Sequence, residues 1–595
     1  MVTGVFRRRP FPCMVTINES LELSGVIEMP SSDPSTLRPL VMGSRYMAST
    51  GHPLATAAAV RILEAGGNAF DAGVAAGLAL NVVQPEFTNL GGVAPTILYS
   101  AELGEVRTIS GLGRWPKSMT PEIVASWGGV LPEGVKRSVV PAAADAWLTA
   151  LERYGTKTLA EVSAPARSLA ADGFPVYEML NITLTAAAAK MTTFPTTAAV
   201  FLPNGRPPRV GERLVQSDLA TTFDLLVEAE EANRHLGRSG AIRAARDRFY
   251  KGDIALRMVE HVQDGGGYLS LEDLADFQVG HEAPVSTNYR GYDVFACGPW
   301  CQGPVVPEVL NILSGYDVNA LGHNSAATLH LIIEALDAAF ADRERFYGDP
   351  DFVDVPIDTL LGDERAAGWR ARIDPDRAFG GTPDPDLVSG KPVADFEASA
   401  ARDTSYLCIV DQWGNAYSAT PSDGVGTTPL VPGLGFVVSD RGSQSRLDQQ
   451  HPSPVAPWRR PRLTPSPGLV MKDGKVFAPF GTPGGDVQPQ AMVQFLVNLI
   501  DFGMDAQAAV EAPRVATYNF PDSFYPHSYA PSLMKAEGRI APDVIDALRA
   551  KGHQVEVWGD FVRAAGSLNA IVVDEAAESL NGAADPRRTG YAMGW

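Results

Sequence analysis

The apolar pattern of this chain changes period at residue 403, and that change constrains the fold more than any other feature of the sequence. Before it, helical spacing dominates. Pro53 opens a helix that runs to about Leu63, with Ser49-Thr50 before His52-Pro53 as the cap and Gly66-Gly67 as the stop. Asn68 can cap a second helix, whose Ala, Gly, Leu and Val content as far as Val83 marks it as buried nearly all round. Helical patterns fill residues 142–262, with breaks near Pro175 and between Pro203 and Pro208, while 294–304 reads as strand and loop. A further helix is predicted over 326–346, ending at Asp349-Pro350. After 403, strands take over. Residues 405–410 and 416–420 flank the turn Asp411-Gln412-Trp413-Gly414-Asn415, and 468–471 and 475–480 flank Lys472-Asp473-Gly474. Gly481-Thr482-Pro483-Gly484-Gly485-Asp486 then leads into a helix over about 488–501. Helices first, hairpins later and a Gly-rich strand-to-helix turn predict an α+β fold, with helices packed around an antiparallel sheet core.

Residues 1–41 carry Pro and Ser clusters without periodicity and are expected to form an arm draped on the body. Residues 376–402, rich in Pro, Gly, Asp and Ala, are expected to be an exposed, mobile segment. The length, 595 residues, suffices for a large core without covalent staples. The formal net charge of −20 argues against nucleic acid and anionic membrane surfaces, both of which need clustered Lys and Arg. Four cysteines, Cys13, Cys297, Cys301 and Cys408, are too few for a disulfide framework and favour a reducing compartment. No long apolar run follows the N-terminal arginines, and the most apolar stretch, 73–83, is too short for a bilayer. The expected location is cytoplasmic.

Thr404 begins the first strand of the β-rich part, directly after the loose segment. If the bond before it is cut, the freed α-amine, with a pKa near 8, lies within reach of the hydroxyl on the same residue and serves as general base. The plainer alternative is a threonine that merely starts a strand. Gly484-Gly485, between a strand and a helix N-terminus, can turn backbone N–H groups toward a developing oxyanion, or can simply make a tight connection. No Lys-Ser or Lys-Thr pair follows these glycines, so a phosphate loop is disfavoured. Cys297 and Cys301 are poorly spaced for zinc and have no Cys or His pair nearby. His52 and His330 are expected to be structural, and no G-x-S-x-G elbow occurs.

In this order the pieces resemble the γ-glutamyltransferase family of N-terminal-nucleophile hydrolases. The match begins with Met47-Ala48-Ser49-Thr50-Gly51-His52-Pro53, Gly66-Gly67-Asn68-Ala69-Phe70-Asp71 and Asn89-Leu90-Gly91-Gly92. It continues through Phe249-Tyr250-Lys251-Gly252, residues 311–317, Ala341-Asp342-Arg343 and Asp349-Pro350. Asp403-Thr404-Ser405, Val410 to Ala416, Gly481 to Gly485, Glu511-Ala512-Pro513-Arg514 and Gly582 to Arg587 complete it, over about residues 42–595. The resemblance implies a four-layer α/β/β/α sandwich made as one precursor. It implies cleavage between Asp403 and Thr404 into a large chain, whose body is 42–403, and a small chain, 404–595, held as a heterodimer. It also implies that Thr404 is the nucleophile, that Ser422 stands where the family has a supporting threonine, and that Gly484 and Gly485 match the oxyanion pair. The expected partner is a small-molecule amide, with no metal or organic cofactor.

The departures from the family pattern concern the substrate. Transpeptidases hold the substrate α-carboxylate with an arginine whose place is taken here by Leu112, Arg114 being displaced by two residues. The Ser-Ser pair for the same carboxylate falls at Leu463-Thr464, the aspartate for the α-amine at about Gln444, and an asparagine near the supporting threonine at Gly424. Ser439-Asp440-Arg441-Gly442 instead resembles the glutamyltransferase-like branch of a wider family that includes oxamate amidohydrolase and cephalosporin-acylase-like enzymes. Arg441, with Arg114 or a rim-located Arg462, is the expected partner of a substrate carboxylate, Arg441 being equally readable as a turn or salt-bridge residue. The resulting expectation is a self-processing amide hydrolase. The alternatives are a γ-glutamyl hydrolase or transferase acting on glutathione-like donors, and an uncleaved binding homologue.

Overall fold

The computed structural model describes residues 36–385 and 404–595. Two seven-stranded sheets form its centre. In the first, Tyr591–Gly594, Met47–Thr50, Leu407–Val410, Ala416–Ala419, Thr96–Ser100, Glu105–Ile109 and His281–Glu282 follow one another across the sheet. In the second the order is Val41–Gly43, Ser579–Ala584, Asn569–Asp574, Lys475–Gly481, Gly468–Lys472, Tyr292–Ala296 and Val285–Tyr289. Every pairing within these two sheets is antiparallel.

Alternation along the strands explains the layers. Leu407 and Ile409 join the apolar cluster under the helices Ala69–Val83 and Ala143–Tyr154, whereas Cys408 and Val410 point the other way. There they meet Leu469, Met471, Val476 and Ile571 of the second sheet. Val470, Ala478 and Phe480 face a third cluster, built with the helices Val305–Leu313, Ala326–Phe346 and Val487–Ile500. Side chains of period two therefore fill three cores between four layers, helix, sheet, sheet, helix.

The helix Ala69–Val83 is buried along its whole length, starts in a capping box of Asn68 with Asp71, and lies close to its neighbours. A Cβ on Gly73 would stand 2.3 Å from the Tyr417 ring, and one on Gly77 2.7 Å from Trp147. The helix before it, Pro53–Glu64, is capped by His52, whose Nδ1 accepts from the Leu54 amide at 3.2 Å. Ser49-Thr50 is not the cap: these residues pair with Leu407–Val410 on one side and Tyr591–Gly594 on the other, and the sheet claims them. Residues 292–296 form the expected strand, joined in a hairpin to Val285–Tyr289, which the sequence reading lacked.

The last part of the expected arm is tied down: the Leu37 and Arg38 amides donate to Glu511, and Val41–Gly43 is an edge strand. Residues 1–35 and 386–403, and with them Cys13, Asp403 and most of the segment expected to be mobile, lie outside the described residues. Cys297, Cys301 and Cys408 are buried and unpaired. No helix among the described residues is long and apolar enough to cross a membrane.

Candidate active site

Thr404 sits at the entrance to the strand Leu407–Val410 and is 1% exposed. It bridges Ser422 in the register that joins Leu407 to Ala419 and Val410 to Ala416. The hairpin therefore fixes which residue stands opposite the threonine. The Thr404 and Ser422 hydroxyl oxygens are 2.9 Å apart. The Ser405 amide donates to the Pro421 carbonyl at 2.9 Å, and the Ser405 hydroxyl to Gln84 Oε1 at 2.5 Å. Arg588 Nη1 donates to the Thr404 carbonyl at 3.4 Å, with its guanidinium over the Phe87 ring. Burial, followed by the nearby Arg563, pulls the Arg588 pKa down to about 10. A cavity of about 10 Å3 touches Thr404, Gln84, Phe87, Pro483 and Arg588, which is room for about one water. Burial likewise pushes the Glu86 carboxyl up to about 7, with Tyr177 donating to it.

Gly484 and Gly485 link the strand Lys475–Gly481 to the helix Val487–Ile500 with φ of +134° and +59°. Both values lie where side-chain-bearing residues are disfavoured, which gives this pair of glycines a conformational reason. Gln302 Nε2 donates to the Gly485 carbonyl and to the Thr464 carbonyl, each at 2.8 Å. Thr464 Oγ1 in turn accepts from Gln444 Nε2 at 2.9 Å. Gln302 Oε1 accepts from Arg343, which also pairs with Asp486 at 2.6 Å. A continuous buried chain thus ties Gln444 and Thr464 to the glycine turn.

The three arginines occupy different places. Arg441 is wholly buried, its Nη2 2.5 Å from Ser422 Oγ and its Nε 3.2 Å from Asp423 Oδ1. Arg114 does not present an open guanidinium: it pairs with Asp349 at 3.1 Å and with Asp351, and donates to the Trp458 carbonyl. Arg462 is not a rim residue, being 2% exposed and paired with Glu344 at 2.5 Å. Leu112 and Leu463 pack with Val93, Cys297, Trp300 and Cys301 in one buried apolar cluster. Val93 bridges Ser422, so this cluster abuts the Thr404–Ser422 pair.

One group of metal-ligating types converges among the described residues, His330, Glu334 and His553. His330 Nδ1 bonds His553 Nε2 at 2.8 Å and His330 Nε2 donates to the Asp374 carbonyl at 2.8 Å, so both ring nitrogens of His330 are engaged within the protein.

Sequence reading passed over Gln84, Gln302 and Arg588, and it gave Arg343, part of a family motif, no role at the site. The motif Ala341-Asp342-Arg343 and the doubled arginine after Pro586 were visible signals. Gln84 and Gln302 act through partners far along the chain and leave no local pattern.

The family profile described as Gamma-glutamyltranspeptidase matches residues 55–595. The chain is 34% identical to the glutathione hydrolase-like YwrD proenzyme of Bacillus subtilis (strain 168), over 93% of this chain and 99% of that one. It is 33% identical to the acylase ACY 1 proenzyme of Pseudomonas sp. (strain SE83), over 92% and 93%. Among solved structures, the cephalosporin acylase from Bacillus halodurans superposes with a TM-score of 0.82 at 32% identity, covering 96% of this chain and 99% of that one.

Proposed function

This chain belongs to the gamma-glutamyltranspeptidase family, and from that premise we propose that it is a self-processing threonine amidohydrolase acting on small acid amides or acyl amides. In the precursor the Thr404 hydroxyl attacks the Asp403 carbonyl, the acyl group shifts from nitrogen to oxygen, and water opens the ester. The relatives named as proenzymes support such a maturation. In the mature enzyme the α-amine of Thr404 takes the hydroxyl proton as Oγ attacks the substrate carbonyl. Backbone N–H groups at Gly484-Gly485 stabilise the oxyanion. The amine product leaves with a proton, and water, deprotonated by the same α-amine, resolves the acyl-Thr404 ester.

The observation that carries the substrate class is the apolar cluster of Leu112, Leu463, Val93, Cys297, Trp300 and Cys301 beside Ser422. The α-ammonium of an amino-acid donor bound beside these buried residues would lose its hydration without gaining an ionic partner. Gln444 and Thr464, already bonded to each other, offer no charge to an α-amine.

The test compares kcat/KM for γ-glutamyl-p-nitroanilide with that for glutaryl-p-nitroanilide, which differs only in lacking the α-amino group. The glutaryl donor is expected to win by about 100-fold, the equivalent of one to two charge-assisted contacts. A clear win for the γ-glutamyl donor would overturn the substrate class. It would favour the reading supported by the name of the Bacillus subtilis relative, hydrolysis of glutathione-like donors.

A further inference from the structure

Arg441 has no accessible surface, and its position connects it to the nucleophile. We infer that Arg441 acts through Ser422 as the positive charge behind Thr404, a positioning residue and not the partner of a substrate carboxylate. The inference rests on Thr404 being the nucleophile.

The buried contact chain from Arg441 through Ser422 to Thr404 carries it. A guanidinium only donates, so Ser422 Oγ accepts from Arg441 Nη2 at 2.5 Å. In this inference the Ser422 hydroxyl donates to Thr404 Oγ1, 2.9 Å away, while its oxygen faces the cation. Thr404 Oγ then receives a hydrogen bond from a hydroxyl polarised by a cation, and its own hydrogen is directed elsewhere, to the α-amine. In a buried site such a bond lowers the cost of negative charge on Thr404 Oγ, both when it attacks and when it leaves the acyl ester. No proton is gained or lost by Arg441 or Ser422: the proton of Thr404 goes to its amine and returns when the ester breaks.

The surroundings keep the guanidinium in place. Asp423, the residue after Ser422, pairs with Arg441 Nε at 3.2 Å and accepts from Ser439 Oγ. The Phe524 ring lies 5.4 Å from the guanidinium carbon. A planar fork can reach the carboxylate and the hydroxyl together, which a lysine cannot do. The neighbouring carboxylate, Asp440, is turned to Arg137 at 3.0 Å.

The experiment measures kcat and KM of Arg441→Lys with glutaryl-p-nitroanilide and with uncharged valeryl-p-nitroanilide, normalised to the amount of mature small chain. The expected result is a 10- to 100-fold fall in kcat for both donors, KM unchanged within about twofold, and the acid limb of the kcat/KM profile moved to higher pH. Asp423→Asn, which loosens the guanidinium without removing it, should show a smaller fall of the same kind. In a Ser422→Ala background, Arg441→Lys should add less than a twofold loss. A rise in KM confined to the glutaryl donor, or full additivity with Ser422→Ala, would overturn the inference. Thr404→Ala is assayed alongside: turnover surviving there would overturn the underlying reading and this inference together, whereas a dead Thr404→Ala beside an unimpaired Arg441→Lys would overturn this inference alone.

Discussion

At the scale of single residues, the proposed mechanism gives one hydroxyl two tasks, cutting the chain before Thr404 and attacking the substrate. Thr404→Ala is therefore expected to abolish both, and Thr404→Ser to keep part of each, because the hydroxyl stays but the methyl group that fixes its rotamer is lost. Gel mobility and amide turnover measured on the same preparations check this. Glu86 gives a pH-dependent test. Its carboxyl, pushed up to about 7 in the fold from an ordinary 4.5, is protonated there over a range in which the unfolded chain is ionised. The folded state binds the extra proton, so stability falls as pH rises between these values, by at most about 3 kcal/mol once both forms are ionised. Glu86→Gln keeps an acceptor for the Tyr177 hydroxyl and removes the ionisation. Its melting temperature should exceed that of the parent at pH 8.5 and nearly match it at pH 4.5; a variant less stable at both would refute the assignment.

At the scale of elements, the helix Ala69–Val83 depends on small residues at its contacts. Gly73→Val would drive side-chain atoms into Tyr417, which stands 2.3 Å from where even a Cβ would lie, at a cost of about 1–3 kcal/mol. Calorimetry should register the loss; an unchanged melting temperature would mean that the helix sits farther from the sheet. The turn at Gly484 is expected to behave differently. Gly484→Ala, at φ +134°, should lower kcat by about 10²-fold with a smaller effect on stability, if this backbone holds the oxyanion. The sequence made such elements legible where local pattern dictates them. The helix Ala326–Phe346 and the hairpin around residues 411–415 follow from periodicity and turn residues alone. The cap of the first helix was misread because pairing across the sheet, invisible locally, recruits Ser49 and Thr50. The same reason hid the partners of Arg114, which come from residues 349 and 351, and the chain from Gln302 to Gly485. Thr404 stood out as the residue that opens the β-rich part and Ser422 only through the family resemblance, and one hairpin register sets the two opposite each other.

At the scale of the whole molecule, the two segments divided at Thr404 are interleaved. Both central sheets take strands from each: Met47–Thr50 lies between Tyr591–Gly594 and Leu407–Val410, and Gly468–Lys472 pairs with Tyr292–Ala296. Cleavage before Thr404 should therefore leave one particle that elutes intact from a sizing column and separates only in denaturant. Free small chain without denaturant would contradict that interleaving. In the proposed mechanism, cutting the chain before Thr404, which is 1% exposed at the strand entrance, releases the amine beside the hydroxyl. The most direct measurement is N-terminal sequencing of the smaller chain from active enzyme resolved on a denaturing gel. The expected result is two bands of roughly 43 and 20 kDa, scaled from 63.4 kDa by residue count, the smaller beginning Thr-Ser-Tyr-Leu. Full turnover from a single band of uncut length, or a small chain beginning at any residue other than Thr404, would contradict it.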